Sequence, residues 1–145
     1  MSHPINPDRL PALVARYPEL FAPDMPSRAF VPPGWAARMD RLCADLEALG
    51  AGVRLVDVEE KHGTLRVLAR TPLSSDEVTA KRVVELVDLT ERDCRRICRD
   101  CGAPSELHRS VPGWWNTLCA ACEAQREALE GHPRKRVDFL GEDDD

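Results

Sequence analysis

Apolar residues recur along this chain with two different periods. Between 34 and 49, Trp35, Met39, Leu42, Cys43, Leu46 and Leu49 stand at i, i+4, i+7, i+8, i+11 and i+14, one face of an amphipathic helix. Gly50 and Gly52 end that helix. The pattern then changes to a strand-like one. Val53, Leu55, Val56 and Val58 fall in the stretch up to Glu60, and Leu65, Val67 and Ala69 share one face between Thr64 and Arg70, with Leu68 on the other. Lys61-His62-Gly63 between the two runs is a turn signal, so together they predict a β-hairpin. After Thr71-Pro72, the segment Ser74-Ser75-Asp76-Glu77 reads as a capping box, with Ser74 at the N-cap and Glu77 at N3. The helix it opens is predicted from about 75 to about 95, with Val83, Leu86, Val87, Thr90 and Cys94 on one face.

The first 33 residues hold 8 of the 12 prolines, so no long element runs through them. One short helix is predicted from Asp8 to Arg16, with Pro11 in its first turn and Pro18 barring its continuation. Glu19 to Pro23 is expected to lie as an extended strap on the core. Four segments result: a Pro-rich strap (1–33), an α+β core (34–96), a cysteine-rich lobe (97–136) and an acidic tail (137–145) expected to be disordered.

Composition narrows the classes. At 145 residues and 43% hydrophobic, the chain suits one domain with a small appendage. That length excludes a barrel enzyme and a dinucleotide-binding fold with a separate substrate domain. No apolar run approaches the roughly 20 residues that cross a bilayer, so no membrane partner is expected. Met1 to Pro7 has neither a basic region nor an apolar one, which predicts a reducing cytoplasm. The formal charge of −5 is unevenly spread. Residues 1–90 carry 11 Lys and Arg against 13 Asp and Glu, residues 91–136 carry 9 against 7, and 137–145 carry five acids and no base. The cysteine-rich part is mildly basic, unlike a strongly basic nucleic-acid binder.

The chemistry lies in the cysteines. Cys98-Arg99-Asp100-Cys101-Gly102 and Cys119-Ala120-Ala121-Cys122 form two CxxC pairs separated by 17 residues. Thiolates at i and i+3 in a tight knuckle converge on one cation, and Gly102 permits the turn. Two such pairs make a tetrahedral structural zinc site with no position left for water. The alternative, two disulfides, does not suit a reducing compartment. Pro104 and Pro112-Gly113 bracket a short hairpin between the pairs, and the second pair opens a helix up to Glu130, stopped by Gly131 and Pro133. Knuckle, hairpin and knuckle at a helix start is the treble-clef order, with a zinc ribbon as the near alternative. The expected fold class is therefore α+β, a helix–hairpin–helix core with a treble-clef or zinc-ribbon-like lobe ligated by Cys98, Cys101, Cys119 and Cys122. Cys94 and His108 are the substitute ligands to consider. Their plainer readings are a helix-face thiol and a loop side chain. Cys43 reads as a small core hydrophobe, and His132 as a surface residue.

Several segments together resemble a group of small bacterial and phage proteins. They are Tyr17-Pro18-Glu19-Leu20-Phe21, Gly34-Trp35, Leu42-Cys43, Val56 to Arg66, and Cys98-x-x-Cys101-Gly102 with Gly113-Trp114 and Thr117-Leu118-Cys119-x-x-Cys122. Members carry a "YPxLF", a "GW…LC", a "VKEKFGTLRFY"-like hairpin and a terminal zinc finger. The likeness spans about 17 to 122. Here Glu59 replaces the usual Lys, His62 replaces Phe, and Val67-Leu68 replace Phe-Tyr, so the hairpin lacks three aromatics. The resemblance implies fold and zinc, and no activity.

Three function classes remain. For an enzyme, no nucleophile–base set or phosphate-cradling glycine loop is readable. Glu59, Glu60 and His62 read as a solvated hairpin end rather than an acid–base cluster. A nucleic-acid binder would use Arg92, Arg95, Arg96, Arg99, Arg109 and Arg126 as one basic face, with Trp115 stacking a base. A protein-binding module fits the balanced charge, the stapled scaffold and the Trp114-Trp115 pair, since Trp is frequent at interface hot spots. The reading taken is a non-catalytic, zinc-stabilised protein that recognises a protein partner, of the immunity, inhibitor, phage-accessory or secretion-accessory kind. Its candidate contact residues are Trp114, Trp115, Arg95, Arg96, Arg99 and Arg109. Nucleic acid is the alternative, and no small-molecule substrate is evident.

Overall fold

The apolar stripe between 34 and 49 forms the central helix. A 3-10 turn, Pro33–Trp35, leads into α2, Ala36–Leu49. In the computed structural model, which describes residues 7–25, 29–111, 114–131, 133 and 135–137, Trp35, Met39, Leu42, Cys43 and Leu46 of this segment are all buried. Before it stands α1, Leu10–Arg16. This helix begins two residues later than the sequence predicts, because the Asp8 carboxylate is used outside it. Asp8 Oδ1 accepts from the N–H groups of both Leu10 and Val31, each at 2.9 Å.

The predicted hairpin is present as β1, Arg54–Lys61, and β2, Thr64–Arg70, paired antiparallel. The turn between Lys61 and Thr64 has positive φ at both of its residues, 53° at His62 and 77° at Gly63. That is the turn whose twist matches the flanking strands. Leu55 and Val58 both face the core although they are three residues apart, because a bulge between Leu55 and Asp57 resets the alternation. Leu65 is fully buried, and Val67 and Ala69 pack at the core's margin. Leu68, on the opposite face, is 56% exposed.

The strap lies on the outer edge of β1. Leu55 N–H donates to Leu20 C=O at 2.8 Å, Ala22 N–H donates to Leu55 C=O at 2.9 Å, and Phe30 N–H donates to Val58 C=O at 2.8 Å. Leu20 and Phe21 are buried beneath this edge. The strap thus satisfies backbone groups that an open strand edge would leave unpaired.

Helix α3, Glu77–Cys94, packs on α2 and β2, and Val83, Leu86, Val87, Thr90 and Cys94 are its buried face. Its N-cap is Asp76, not Ser74: Asp76 Oδ1 accepts from Thr79 N–H at 2.7 Å. Ser75 N–H instead donates to Pro72 C=O, closing a turn that moves the helix start to Glu77. The Thr79 N–H holds the Asp76 carboxyl below its ordinary range.

Beyond α3 the chain forms β3, Leu107–Val111, β4, Trp114–Thr117, α4, Ala120–Glu130, and β5, Lys135–Val137. The three strands make an antiparallel sheet in the order β4-β3-β5. Strand β5 was not expected from the basic run around Lys135 and Arg136, and it carries the ordered lobe on to Val137. No apolar alternation marks it; its pairing with β3 is a non-local backbone event. The expected turn at Pro112-Gly113, His132, Arg134 and the acidic residues from Asp138 to Asp145 lie outside the described residues. Among those described, no helix is long and apolar enough to cross a membrane.

Candidate metal centre

The first cysteine pair sits where α3 ends and the chain must turn back. Cys98 N–H donates to Ala103 C=O at 2.7 Å, and Gly102 N–H donates to Cys98 C=O at 2.9 Å. Gly102 takes a φ of +84°, which a residue with a Cβ rarely adopts. The second pair opens α4. Cys119 is its N-cap, and Cys119 Sγ accepts from Cys122 N–H at 3.4 Å. A matching bond runs from Ala103 N–H to Cys101 Sγ, also at 3.4 Å.

All four sulfurs lie within 4.8 Å of one another, and Cys101 Sγ and Cys119 Sγ are 3.7 Å apart. A tetrahedron with bonds of about 2.3 Å requires sulfurs about 3.8 Å apart, so the set is placed to bind a metal ion. Burial grades across it: Cys98 and Cys122 are buried, Cys119 is half-buried and Cys101 is exposed. The electrostatics favour a cation. Burial alone pushes the Cys119 thiol up, but the Cys122 N–H and the other thiols outweigh it and leave Cys119 below its ordinary value. Burial and the neighbouring sulfurs push Cys122 up, and burial does the same to Cys101. Several thiolates crowd together stably only around a positive ion.

The substitute ligands are accounted for elsewhere. Cys43 and Cys94 belong to the main core, and burial pushes each thiol up to about 12. His108 is not a loop side chain. It sits on β3, 1% exposed, with Nε2 2.7 Å from Glu123 Oε1. Ser110 Oγ donates to the other oxygen of the same carboxylate. Glu123 follows Cys122 directly on α4, so this buried cluster fixes the helix carrying the second cysteine pair against the sheet. In the sequence His108 stands out only as a substitute ligand, and Ser110 and Glu123 not at all; the packing of α4 against β3 brings the three together.

Two glycines dock this lobe on the core. A Cβ on Gly34 would lie 1.9 Å from Cys98 O, and Gly34 N–H donates to Arg99 C=O at 2.7 Å. The adjacent Trp35 donates through Nε1 to Ile97 C=O at 2.7 Å. At the hairpin tip, a Cβ on Gly63 would lie 2.8 Å from backbone atoms of Trp115 and Asn116. Thr117 Oγ1 donates to Gly63 C=O at 2.8 Å, and Arg99 N–H donates to Thr117 C=O at 2.8 Å.

The candidate basic face is divided. Arg99 is 4% exposed and turned inward, so it does not lie on a contact surface. Its Nε donates to Glu60 Oε2 at 2.8 Å, and its Nη1 to Asp100 Oδ1 at 3.0 Å. Asp100 in turn receives two bonds from Arg126, each at 2.9 Å. Burial works against the Arg126 charge, but the Asp100 carboxylate more than restores it. Glu60 is therefore an anchor for Arg99, not part of a solvated hairpin end. Arg109 stands opposite Trp115 across the β3–β4 ladder, its guanidinium carbon 6.0 Å from the indole centroid. Trp114 pairs with Ser110 through the backbone, and its side chain lies outside the described residues. Arg95, Arg96 and Trp115 come together with Arg66 and His62 in an open cavity of about 1010 Å³ between hairpin tip, α3 end and lobe.

The chain matches no family model, no curated protein and no solved structure.

Proposed function

We propose that this is a non-catalytic, zinc-stapled protein whose zinc lobe is of the treble-clef type and whose task is to bind a protein partner. The order of knuckle, β3–β4 hairpin and knuckle at the start of α4 supports the treble-clef assignment. Four sulfurs within 4.8 Å of one another support zinc over the oxygen-seeking divalent ions. Four protein ligands also leave no position for a substrate or an activated water, which supports a structural role for the metal. In this reading the chain acts as an inhibitor-type or accessory protein.

The observation that carries the proposal is the Glu60–Arg99–Asp100–Arg126 chain of ion pairs. It joins β1, the first knuckle and α4 into one unit, with an open groove on its surface. Pro104, Ser105, Glu106, Leu107 and Trp115 of the groove wall lie between the two cysteine pairs, so in this reading the metal holds the surface that faces a partner. Single-stranded nucleic acid is the second reading, favoured by Trp115 standing beside Arg95 and Arg96 in that groove.

Affinity capture from native cells tests this, run with and without nuclease and with and without chelator. A discrete polypeptide, retained after nuclease and lost on chelation, is the expected result. Capture of nucleic acid alone, or of no polypeptide, overturns it.

A further inference from the structure

We infer that the groove is a receptor for an acidic peptide segment of the partner. The inference rests on the protein-binding reading above and names the chemistry of its occupant.

His62, Arg66, Arg95, Arg96, Ser105 and Trp115 line the groove. Arg66, Arg95 and Arg96 are exposed, and none forms an ion pair with a described residue. Their situation differs from that of Arg99 and Arg126, whose charges are matched by Glu60 and Asp100. Three guanidiniums from two separate elements, β2 and the turn after α3, thus face one concavity whose lining offers a single acid, Glu106. Ser105 adds a second observation. Its N–H donates to Arg96 C=O at 3.0 Å, which fixes it beside the arginines, while its buried hydroxyl oxygen has no hydrogen-bond partner. His62 is held at the rim in a left-handed backbone conformation by the hairpin turn.

The charge balance favours a carboxylate-bearing peptide over a nucleic acid. All 20 Lys and Arg lie before residue 138, against 20 of the 25 Asp and Glu, so the body is neutral outside local patches. A phosphate backbone needs a basic track that extends well beyond one groove. Here the groove also contains Glu106, which interrupts such a track. Discrete guanidiniums suit discrete carboxylates, which they bind as a fork. Trp115 offers an indole to an apolar or aromatic side chain between them.

The test is fluorescence anisotropy with the full, zinc-loaded chain. The probes are a labelled peptide of alternating Glu and Asp with one central Phe, the same peptide with Gln and Asn for the acids, and an oligothymidylate strand. The acidic peptide is expected to bind and the neutral peptide to bind far more weakly. Arg95→Glu combined with Arg96→Glu should weaken acidic-peptide binding by about tenfold or more, as should Arg66→Glu combined with either. Arg92→Glu, exposed on α3 but outside the groove lining, should leave it unchanged. Zinc content and the thermal midpoint, measured on each variant, separate a lost site from a lost fold. Equal binding of both peptides, indifference to the arginine reversals, or arginine-dependent binding of the oligothymidylate alone would each overturn the inference. If native-cell capture returns the same polypeptide with the wild type and with Arg95→Glu/Arg96→Glu, this inference falls while the protein-binding reading stands. If capture returns no polypeptide, the reading itself falls.

Discussion

Arg99, one residue after the first cysteine of the metal centre, is paired with Glu60 at the end of strand β1, 39 residues earlier in the chain, at 2.8 Å through its Nε. The pair is buried on the Arg99 side and one-fifth exposed on the Glu60 side. Removing one partner of such a pair leaves the other charge desolvated, which costs far more than the intact pair contributes. Arg99→Met should therefore lower stability by about 3 kcal/mol, read as a lower urea midpoint. Arg99→Met with Glu60→Leu should recover part of that loss. An unchanged midpoint in the single variant would show that the pair does not join the two parts.

Gly34→Ala tests the docking of the core on the knuckle. The added Cβ would lie 1.9 Å from Cys98 O, a backbone atom that cannot move without disturbing the metal ligand beside it. The expected cost is about 3 kcal/mol, together with faster loss of zinc to a competing chelator. Gly50→Ala is the control. Its Cβ meets nothing within 4 Å, and only its φ of +60° opposes a side chain. It should cost about 1 kcal/mol and leave the zinc affinity unchanged.

The ligand set is tested cysteine by cysteine. Cys98→Ser and Cys122→Ser should each lose zinc and unfold the lobe, whereas Cys43→Ser should keep one zinc per chain by elemental analysis. Chelation of the wild type should have the same effect as the ligand variants, since a structural zinc contributes on the order of 10 kcal/mol to folding. Stoichiometric zinc in both ligand variants would refute the assignment.

Cys43 and Cys94 make the core sensitive to alkali. Unfolded thiols ionise near 9.0, whereas burial holds these two to about 12. Above pH 9 the unfolded chain therefore binds fewer protons than the folded one, and stability falls as pH rises. The contribution is fully present below about pH 9 and is lost between there and about 12. Replacing both residues by Ala should lower stability at pH 7 and flatten its decline between pH 9 and 11. Urea midpoints across that range provide the check, and parallel declines in variant and wild type would rule the two thiols out.

How much of this was legible in the sequence depends on the separation of the residues involved. The apolar faces of α2 and α3 follow local periodicity, because 3.6 residues per turn bring i, i+3 and i+4 to one side whatever they pack against. The two CxxC pairs are equally local in their geometry. The sequence puts the α3 cap two residues early because Ser74 and Asp76 are both good caps, and the Pro72–Ser75 turn decides between them. Gly63 reads as a turn residue, which it is, but nothing local reveals that its missing Cβ admits the backbone of Trp115.

By itself, the sequence determined the amphipathic helices, the hairpin with its turn at Lys61 to Gly63, and the four-thiol set, each a property of residues close along the chain. Only the tertiary structure decided which charges are internal and which are free. Arg95, Arg96 and Arg99 are near-neighbours of one residue type, yet Arg99 is neutralised by Glu60 while Arg95 and Arg96 face an open groove. It likewise joined His108, Ser110 and Glu123, and paired β5 with β3. Counter-charge, burial and strand pairing depend on what stands opposite in space, and residues far apart in the chain supply it.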